Sequence, residues 1–450
     1  MLFIADLHIH SKYSRATSLK MNLEDLDSAA DDKGILVMGT GDFLHPRYLA
    51  EIKEKLEPAG GDAHQERSAE TGLYKLKSKY KKQTLKGTYS KTRFILSVEI
   101  SSIYSQGGKV RRIHNIAFVP SVGSAENLRN KLIGLGCNLN SDGRPIIGLS
   151  SEKLAETVFN IDSKAVIVPA HAWTPWFSVF GSMSGFDSLE ECFGKYADKI
   201  FAIETGLSSD PEMNWQLSKL DKIALISNSD SHSLPKIGRE ANIFDTELSY
   251  GGIMEAIKSG SPENRRKNPD DKRFVATVEF FPEEGKYHYD GHRTCGISWS
   301  PEETEKHKGI CPVCGRPVTI GVLNRVNKLS DRKLEIEKKG NYRDYDNFVS
   351  YYNLVGLEEI IAEALDTTVA SKKVREEYRN LIIKFGSELR ILMKIPEDEL
   401  KAEINSRIYE GIKRVRDGNL KIKPGFDGEY GVVKIFGEED KEQKKEQKLF

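Results

Sequence analysis

The sequence predicts an α/β fold over residues 1–285, built as a barrel or a large open sheet, followed by a small metal-stabilised module and a mainly helical region. Three observations predict this order. Short apolar runs alternate with amphipathic helical stretches in the first half, and a cluster of Cys and His residues follows. Charged amphipathic stretches, such as 356–366 and 371–393, then dominate residues 326–418. Strands that alternate with helices are typical of parallel βαβ units.

Seven apolar, β-rich runs are the candidate strands of the first part. They lie at residues 2–5, 35–39, 94–98, 113–119, 165–170, 200–203 and 223–227. One helix between them is predicted at 23–33, because Asn22 can cap its start and Gly34 can end it. A further strand is predicted at 273–281. This number of strands favours a barrel or a large sheet.

A basic insertion at residues 58–93 interrupts the alternation. From Thr71 to Arg93 the sequence carries eight basic residues and no acidic one. Two interpretations stay open: a solvated, partly disordered insertion, or a loop that contacts phosphate groups.

The net charge of the chain argues against a general electrostatic attraction to nucleic acid. Lys plus Arg and Asp plus Glu both number 67, so the net charge of the 450 residues is zero. A chain-wide electrostatic attraction to nucleic acid is therefore not expected, whereas local basic patches stay possible. No apolar run approaches the ~20 residues of a membrane helix, and the N-terminus does not resemble a signal peptide. We expect a cytoplasmic protein without a membrane partner.

Residues of the types that bind metals recur where the predicted strands end. They are Asp6, His8, His10, Asp42, Glu99, His171, Glu204, Asp230 and His232, while His114 near the start of its strand fits the rule less well. The carboxyl ends of parallel strands gather at one face of an α/β fold. Imidazole and carboxylate groups suit zinc, manganese or iron, and a shared carboxylate can bridge two ions.

This pattern predicts a multinuclear metal site that hydrolyses phosphate esters. Bound metal ions lower the pKa of water and neutralise phosphate oxygens, so no Ser or Cys nucleophile is needed. Asp230 or His171 could also move protons. Glu204 and His45 are not assigned as ligands, because either could be an ordinary hydrogen-bonded polar residue.

Several short motifs resemble those of the polymerase and histidinol phosphatase (PHP) superfamily. They are ADLHIHSKYS, TGD, SVEIS, RIHN, PAHAW and SNSDSH. The resemblance implies a distorted (β/α)7 barrel with a trinuclear site. It implies a first ion at His8, His10, Glu99 and Asp230, a second at Glu99, His114 and His171, and a third at Asp42 and His232. The implied catalytic residues are Asp230, His171 and Glu99.

The third ion position departs from the superfamily pattern. Many relatives have Thr-Asp-His where this sequence has Thr40, Gly41 and Asp42, so an imidazole is replaced by a carboxylate. Ser14 and Arg15 stand where some relatives carry another histidine. We therefore expect two to three divalent ions, of Zn, Mn or Mg.

The Cys and His cluster has the spacing of a zinc ribbon. His292-x2-Cys295 is followed by Cys311-x2-Cys314, and this spacing favours His292 over His288. Such a closed ligand set predicts one structural zinc. The ribbon could simply nucleate a small fold, or it could grip nucleic acid with the help of Arg316 and Arg325.

Three function classes compete for the metal site: a nuclease, a phosphatase of a small phosphomonoester, and a non-catalytic accessory module of a DNA machine. The P-loop of helicases is missing from the sequence. The segments at 204–215, 227–242, 286–296, 311–326 and 424–436 resemble endonuclease Q. That family nicks single- or double-stranded DNA on the 5′ side of deaminated bases (uracil, hypoxanthine, xanthine) and of abasic sites.

The resemblance also implies that the damaged nucleotide is extruded before cleavage. Trp173, Trp176 and Phe177 could stack on that nucleotide, or they could belong to the core. The predicted domains are the PHP barrel at 1–285, the zinc ribbon at 286–325, a helical DNA-binding region with a short C-terminal strand at 326–436, and a disordered charged tail at 437–450. The last residues weakly resemble a peptide that binds a sliding clamp, but a plain disordered end is preferred.

Overall fold

The computed structural model describes residues 1–60, 71–334 and 338–437. In the first part, the strands are β1 (Leu2–Asp6), β2 (Val37–Gly39), β3 (Leu56–Pro58), β4 (Tyr74–Leu76), β5 (Arg93–Gln106), β6 (Lys109–Val119), β7 (Ile146–Ile147), β8 (Val166–Pro169), β9 (Ala202–Glu204), β10 (Ala224–Ile226), β11 (Ala241–Asp245) and β12 (Phe274–Glu279). The helices are α1 (Leu23–Lys33), α2 (Pro46–Lys55), α3 (Val122–Gly134), α4 (Ser151–Ile161), α5 (Leu189–Phe193), α6 (Pro211–Trp215), α7 (Tyr250–Ser259) and α8 (Pro262–Lys267).

The strands and helices that follow residue 285 form the second part of the chain. The strands are β13 (Asp290–His292), β14 (Ile297–Trp299), β15 (Lys338–Lys339), β16 (Tyr342–Arg343), β17 (Ser350–Asn353), β18 (Lys421–Lys423) and β19 (Val432–Lys434). The helices are α9 (Pro301–Lys306), α10 (Val322–Leu329), α11 (Leu357–Ala364), α12 (Lys372–Phe385), α13 (Glu388–Met393), α14 (Glu397–Glu403) and α15 (Ser406–Arg416).

A ring of strands forms the centre of the first part. Among the described residues, the ring follows the order β1, β2, β5, β6, β8, β9 and β10. A parallel bridge between Ile9 and Ser231 closes it, just beyond β1 and β10. The ring is distorted because residues 2–5 of β1 pair with β11 rather than with β10, and β11 continues the sheet to β12. The expected α/β fold with a distorted barrel is confirmed.

The direction of β6 differs from the expectation. Alternating strands and helices predicted parallel neighbours, but β5 and β6 form a long antiparallel hairpin. A tight turn at Gly107 and Gly108 joins them, so no crossover helix lies between them. Because β6 runs backwards, its first half reaches the barrel face where the parallel strands end.

The predicted helix at 23–33 is confirmed, and its caps are those that the sequence indicates. The Asn22 side chain accepts a hydrogen bond from the Asp25 amide, and Gly34 ends the helix in a left-handed conformation. The acidic residues of this helix bind the basic insertion. The ammonium group of Lys82 pairs with the Asp25 carboxylate, and Lys86 Nζ lies 2.5 Å from Asp31 Oδ2.

The second half of the insertion is therefore folded against the barrel rather than disordered, and its contact with phosphate groups stays a prediction. Residues 71–93 are ordered against α1, and part of their positive charge is neutralised there. Residues 61–70, which belong to the same predicted insertion, lie outside the described residues. The tail at 438–450, including the clamp-binding resemblance, also lies outside them.

The C-terminal region is mainly helical, as expected, but it begins with strands that the sequence did not predict. Strand β17 pairs in parallel with β12, and β16 and β15 follow at the edge. The sheet thus continues past the predicted boundary at residue 285. The predicted stretch at 371–393 is divided at Gly386 into α12 and α13. Within the described residues, no helix combines the length and apolar character needed to cross a membrane.

A buried ion pair ties the C-terminal helices to the barrel. Lys33 at the end of α1 lies 2.5 Å from Glu388 at the start of α13, and both side chains are more than nine-tenths buried. Glu388 also accepts hydrogen bonds from the Tyr378 hydroxyl and the Leu357 amide. These contacts hold α11, α12 and α13 against α1.

Candidate metal centre

Two groups of ligand-type side chains meet inside the open end of the barrel. Among the described residues, the first group is His8, His10, Glu99 and Asp230, and the second is Glu99, His114 and His171. Within each group, one ligand atom per residue lies within 4.8 Å of the others. The same groupings were implied by the PHP resemblance. Their role as metal ligands stays a prediction.

The strand backbone explains how the first group forms. His8 and His10 are two positions apart in the extended segment that follows β1, so they point to one side, while Ile9 between them is buried in the core. The bridge from Ile9 to Ser231 sets Asp230 beside them. The Asp230 Oδ1 atom lies 3.0 Å from His10 Nε2.

The β5–β6 hairpin brings Glu99 and His114 together. Glu99 lies in the middle of β5, so the expectation that its strand ends there is wrong. In the register, Ser101 faces His114 and Glu99 faces Ile116, which makes Glu99 and His114 diagonal neighbours on the same face. The misfit of His114 to the strand-end rule is thus explained by the reversed direction of β6.

Glu99 is common to both groups, and its two oxygens face different partners. Oε2 lies 3.2 Å from His10 Nε2 in the first group. Oε1 lies 2.6 Å from His114 Nδ1 and 3.1 Å from His171 Nε2 in the second. A carboxylate in this position can bridge two cations.

Unpartnered buried atoms show that the first group fits a cation. Within the part of the chain that the structure describes, His8 Nε2, His10 Nε2 and Asp230 Oδ1 are buried and form no hydrogen bond of suitable geometry, although His10 Nε2 and Asp230 Oδ1 lie 3.0 Å apart. Buried polar atoms without partners are rare in folded proteins, because each costs free energy. All three atoms are potential ligand atoms, and imidazole with carboxylate suits zinc, manganese or iron. The residues present therefore fit a divalent metal ion.

The protonation of the carboxylates also suits metal binding. Burial opposes the ionisation of Glu99, but His114, Arg144 and His10 outweigh burial and hold its pKa well below the usual value. Burial is likewise outweighed at Asp230, where His10 and His8 lower the pKa. Both side chains are carboxylates at neutral pH.

The imidazoles differ in protonation. Burial lowers the pKa of His114 to about 4, so this ring is neutral at neutral pH, as a metal ligand must be. Burial also disfavours the charged form of His10, but Asp230, Asp42 and Glu99 outweigh it and raise its pKa well above the usual value. These carboxylates thus favour a positive charge at His10, and a cation bound beside them would supply that charge in place of the proton.

Glu204 orients two of these histidines and was not assigned from the sequence. Its Oε1 atom lies 3.0 Å from His8 Nδ1, and its Oε2 atom accepts a hydrogen bond from the His171 amide. The side chain of Asn228 donates a further bond of 2.9 Å to Oε1. A carboxylate behind a ligand histidine fixes the ring orientation and the tautomer. The position of Glu204 at a strand end was the available signal.

The residues of the third implied position lie beside His10. The carboxylate of Asp42 accepts bonds from the Ser11 amide and from the hydroxyls of Ser11 and Ser14, and it lies 3.2 Å from His10 Nδ1. The His232 ring packs on His10 with centroids 4.4 Å apart. Asp42 is thus engaged in holding His10, and a ligand role for Asp42 and His232 stays a prediction.

Strained backbone positions are concentrated around the centre. Asp42, His171, Phe177 and Asp230 all have positive φ, between 29° and 65°. Non-glycine residues adopt this conformation only when the surroundings impose it, and such residues cluster at functional sites. Gly206 packs so closely on His171 that a Cβ atom would lie 2.5 Å from the His171 Cβ. Only glycine fits there.

Arg144 is the residue at the centre that the sequence did not single out. It lies in the loop between α3 and β7, and its Nη1 atom donates to Glu99 Oε2 over 3.1 Å. Burial lowers the pKa values of His114 and His232, and the charge of Arg144 adds to this effect. A loop arginine carries no strand-end signal, so only the folded structure places it here.

The three aromatic residues considered for stacking on a nucleotide differ in burial. Trp173 is buried, packs on Phe180 and donates its indole N–H to Asn214 over 2.7 Å. The stacking role considered for Trp173 is therefore wrong, because the side chain belongs to the core. Trp176 and Phe177 are half-buried, and Phe177 packs on the His114 ring with centroids 4.8 Å apart.

A second candidate metal position lies outside the barrel. His292, Cys295, Cys311 and Cys314 place one ligand atom each within 4.8 Å of the others. His288 lies elsewhere, buried and stacked on Tyr289.

The two arginines considered for nucleic-acid binding differ in position. Arg325 is buried and donates to the carbonyl groups of Phe180 and Phe186, so its predicted availability for nucleic acid is wrong. Its bonds hold α10 against the barrel. Arg316 is exposed.

Fold and site together define a class: an α/β-barrel protein with a buried histidine–carboxylate centre and a separate Cys3His cluster. Comparison with known proteins agrees with this class. Residues 356–419 match the family model described as the MJ0043 C-terminal domain. Uncharacterized protein MJ0043 of Methanocaldococcus jannaschii is 33% identical over 301 residues, which is 64% of this chain and 35% of that protein. The match thus spans about a third of that relative.

Other relatives match over nearly the full length. Uncharacterized protein YqxK of Bacillus subtilis is 27% identical over 446 residues, covering 96% of this chain and 98% of that protein. The lesion-specific endonuclease PfuEndoQ of Pyrococcus furiosus superposes with a TM-score of 0.77 at 27% identity, covering 96% and 95% of the two chains. An endonuclease Q in complex with a 27-mer duplex carrying an abasic lesion gives 0.78 at 28%, covering 97% and 98%. The resemblance to endonuclease Q is confirmed along nearly the whole chain.

Proposed function

We propose that this protein is a metal-dependent DNA repair endonuclease. It hydrolyses the phosphodiester bond on the 5′ side of deaminated bases (uracil, hypoxanthine, xanthine) and of abasic sites. The observation that carries the proposal is the pair of ligand groups sharing Glu99, in a chain that matches endonuclease Q structures over 96% or more of its length. The full-length match includes the Cys3His region and the C-terminal helices, which a phosphatase of a small molecule does not need.

The first group (His8, His10, Glu99 and Asp230) and the second group (Glu99, His114 and His171) would each hold one divalent ion, of Zn, Mn or Mg. Such ions, when bound, supply a water of lowered pKa and neutralise charge on the phosphate. A third ion at Asp42 and His232 is not needed for this chemistry. Glu99 would keep the two positions close together, since its two oxygens face different groups.

Asp230 and His171 are the residues best placed to move a proton. The Asp230 side chain is 24% exposed, whereas that of Glu99 is fully buried, so water reaches Asp230 from the open end of the barrel. His171 Nδ1 lies 3.3 Å from the Thr174 hydroxyl, on the side away from Glu99. An Asp230 oxygen that does not bind an ion can accept the proton of the attacking water and return it to the leaving oxygen, whereas His171 would take this role only in place of binding the second ion.

Trp176 is the residue that we propose to stack on the extruded nucleotide. It is half-buried and precedes Phe177, which packs on the His114 ring, and the Trp176 ring meets Tyr287 edge-on with centroids 5.6 Å apart. Bases stack on such aromatic faces with little dependence on sequence. Deamination and base loss weaken pairing, which lowers the cost of extrusion and contributes to selection of the lesion.

The Cys3His cluster would hold one structural zinc. Four protein ligands leave no open position for a substrate, which is typical of structural sites. The region is attached to the barrel by the bond from Ser182 to the Ile320 carbonyl and by Arg325. The zinc would therefore fix a small lobe beside the site rather than take part in the reaction.

A cleavage assay tests the function. Labelled duplexes with a single uracil, hypoxanthine or abasic site are incubated with the protein and Mg2+, Mn2+ or Zn2+. We expect a nick immediately 5′ of the lesion, lost in Asp230→Asn and kept in the matched control Asp198→Asn, an exposed aspartate outside the centre. Hydrolysis of small phosphomonoesters with intact DNA would refute the proposal. DNA binding without metal-dependent cleavage would instead indicate an accessory module.

A further inference from the structure

We propose that Arg144 binds a non-bridging oxygen of the phosphate that is cleaved. This inference rests on the proposed function, because it names the residue that recognises the substrate phosphate in that site. Four observations lead to it: the fixed loop that carries Arg144, its bond to Glu99, its exposure at the open end of the centre, and its charge.

The loop that carries Arg144 is held on both sides. The Gly143 amide donates to the Tyr13 carbonyl over 2.9 Å, and the Pro145 carbonyl accepts from the Ser101 amide over 3.0 Å. Gly143 packs so tightly on Asp42 that a Cβ atom would lie 2.4 Å from Asp42 Oδ2. The position of the Arg144 backbone is thus set by the same residues that hold His10, and a pre-organised group loses little entropy when it binds a ligand.

The contact with Glu99 places the guanidinium next to the atoms that would react. Arg144 Nη1 lies 3.1 Å from Glu99 Oε2, the oxygen that also faces His10. In residues 1–60, 71–334 and 338–437, Glu99 is the one hydrogen-bond partner of this guanidinium. An arginine has five N–H donors, so the remaining donors can bind another acceptor.

Exposure shows where that acceptor would come from. The Arg144 side chain is 28% exposed while that of Glu99 is completely buried, so solvent reaches Arg144 but not its partner. The Asp230 side chain of the first group is 24% exposed, so a substrate can reach both Arg144 and Asp230 from solvent.

Charge identifies the acceptor as an anion. When cations occupy the positions beside Glu99, Arg144 faces charges of its own sign, and an anion between them relieves the repulsion. A phosphodiester offers two non-bridging oxygens, and arginine binds phosphate through parallel N–H donors. During hydrolysis these oxygens gain negative charge, so the contact strengthens in the transition state.

The competing interpretation is that Arg144 only neutralises Glu99 and so supports the metal ligands. The two roles differ in a measurable way. A supporting role predicts that loss of Arg144 releases metal. A phosphate contact predicts that metal content is kept while substrate binding becomes less sensitive to salt.

The test compares Arg144→Ala and Arg144→Lys with the matched control Arg15→Ala. Arg15 Nε lies 3.3 Å from Oδ2 of Asp142, a residue of the loop that carries Arg144. The Arg15 side chain is 75% exposed. Each variant is assayed for bound metal by elemental analysis, and for the dissociation constant of a duplex with an abasic-site analogue across a range of KCl concentrations. Cleavage of that duplex and of bis(4-nitrophenyl) phosphate is measured in parallel.

For Arg144→Ala we expect unchanged metal content, a slope of log Kd against log salt smaller by about 1, and kcat/KM lower by roughly 10²-fold on both substrates. Arg144→Lys keeps the charge and recovers part of the loss, but not the two-pronged contact. Arg15→Ala stays close to the wild type. If Arg144→Ala does not fold, Arg144→Lys decides by cleavage and metal content, because a lysine keeps the charge and therefore the salt slope.

Two results would overturn the inference: a wild-type salt slope and wild-type cleavage in the Arg144 variants, or loss of metal together with loss of cleavage. The small diester separates this test from the proposed function. If the wild type hydrolyses the diester but leaves lesion DNA intact, the proposed function fails and Arg144 is judged on the diester alone. If the wild type cleaves neither substrate, the salt slope decides.

Discussion

The Nδ1 atom of His8 lies 3.0 Å from Oε1 of Glu204, and both side chains are buried. This carboxylate stands behind the histidine, on the side away from Glu99 and Asp230. The same carboxylate also binds the His171 amide, so one residue supports both ligand groups.

We expect Glu204→Gln to weaken metal binding at the barrel centre by roughly 10–100-fold, because an amide carries no charge to hold the tautomer of His8. Competition titration with a chromogenic chelator measures this affinity. The control Glu190→Gln, at an exposed position of α5, leaves it unchanged. Equal affinities in the wild type and Glu204→Gln would show that the contact does not support the metal.

Trp173 and Trp176 are expected to give opposite results when replaced by alanine. Trp173→Ala removes a buried ring and its bond to Asn214, so we expect a loss of about 3–5 kcal/mol of folding stability. Trp176→Ala leaves thermal unfolding close to the wild type but weakens binding of lesion DNA by about 1–3 kcal/mol. Calorimetry and fluorescence anisotropy measure the two effects. Unchanged affinity in Trp176→Ala would contradict the stacking role.

The positions of the ligand-type residues were predictable from the sequence because they follow from strand geometry. His8 and His10 are two apart in the extended segment after β1, and most of the other residues lie at or just after the ends of strands that meet at one face. The direction of β6 was not predictable, because a short turn and a helical crossover are both compatible with the apolar pattern. His114 therefore fitted the rule poorly until the antiparallel pairing was known.

Partners that depend on distant contacts could not be found in the sequence. Glu204 is 196 positions from His8, and Arg144 is 45 positions from Glu99. Local periodicity also says nothing of strands as short as β15, β16 and β17, which exist because β12 offers a free edge to pair with. The basic residues of the insertion are visible in the sequence. Their acidic partners on α1 are not, because the pairing depends on how the insertion folds.

The buried carboxyl group of Glu279 predicts a fall in stability with rising pH. Burial raises its pKa to about 8, although Thr277 and Thr205 donate hydrogen bonds to it. An unfolded Glu titrates near pH ~4.3, so between these values the folded state keeps a proton that the unfolded state releases. Stability is then highest below the unfolded pKa, and it is lost as pH rises toward the folded pKa, by about 1.4 kcal/mol per pH unit for one proton.

We expect Glu279→Gln to flatten the dependence of Tm on pH between about pH 5 and about pH 8. Some slope remains, because burial also raises the pKa of the neighbouring Glu240. Thermal unfolding across this range is the measurement, and Glu190→Gln at the surface keeps the wild-type slope. An unaltered slope in Glu279→Gln would mean that this carboxyl is ionised in the folded protein.

The buried ion pair between Lys33 and Glu388 is expected to contribute far more to folding stability than an exposed ion pair. Glu388→Ala leaves the Lys33 ammonium buried without its partner, so we expect a loss of about 3–5 kcal/mol and early dissociation of the C-terminal helices. The matched control is Glu403→Ala, whose partner Lys384 is exposed, and we expect a loss of about 0–1 kcal/mol. Denaturant unfolding compares them, and equal losses would contradict the difference in burial.

The Cys3His cluster and the barrel centre are expected to lose metal independently, because they share no ligand. Cys311→Ser removes a thiolate from the cluster, so we expect one zinc fewer per chain, local unfolding of the β13–β14 region and weaker DNA binding. The barrel keeps its ions, since the cluster is attached to it by contacts such as those of Arg325 rather than by ligands. Elemental analysis and limited proteolysis measure both parts, with Cys137→Ser, outside the cluster, as the control. Loss of all ions at once in Cys311→Ser would show that the two metal positions depend on each other.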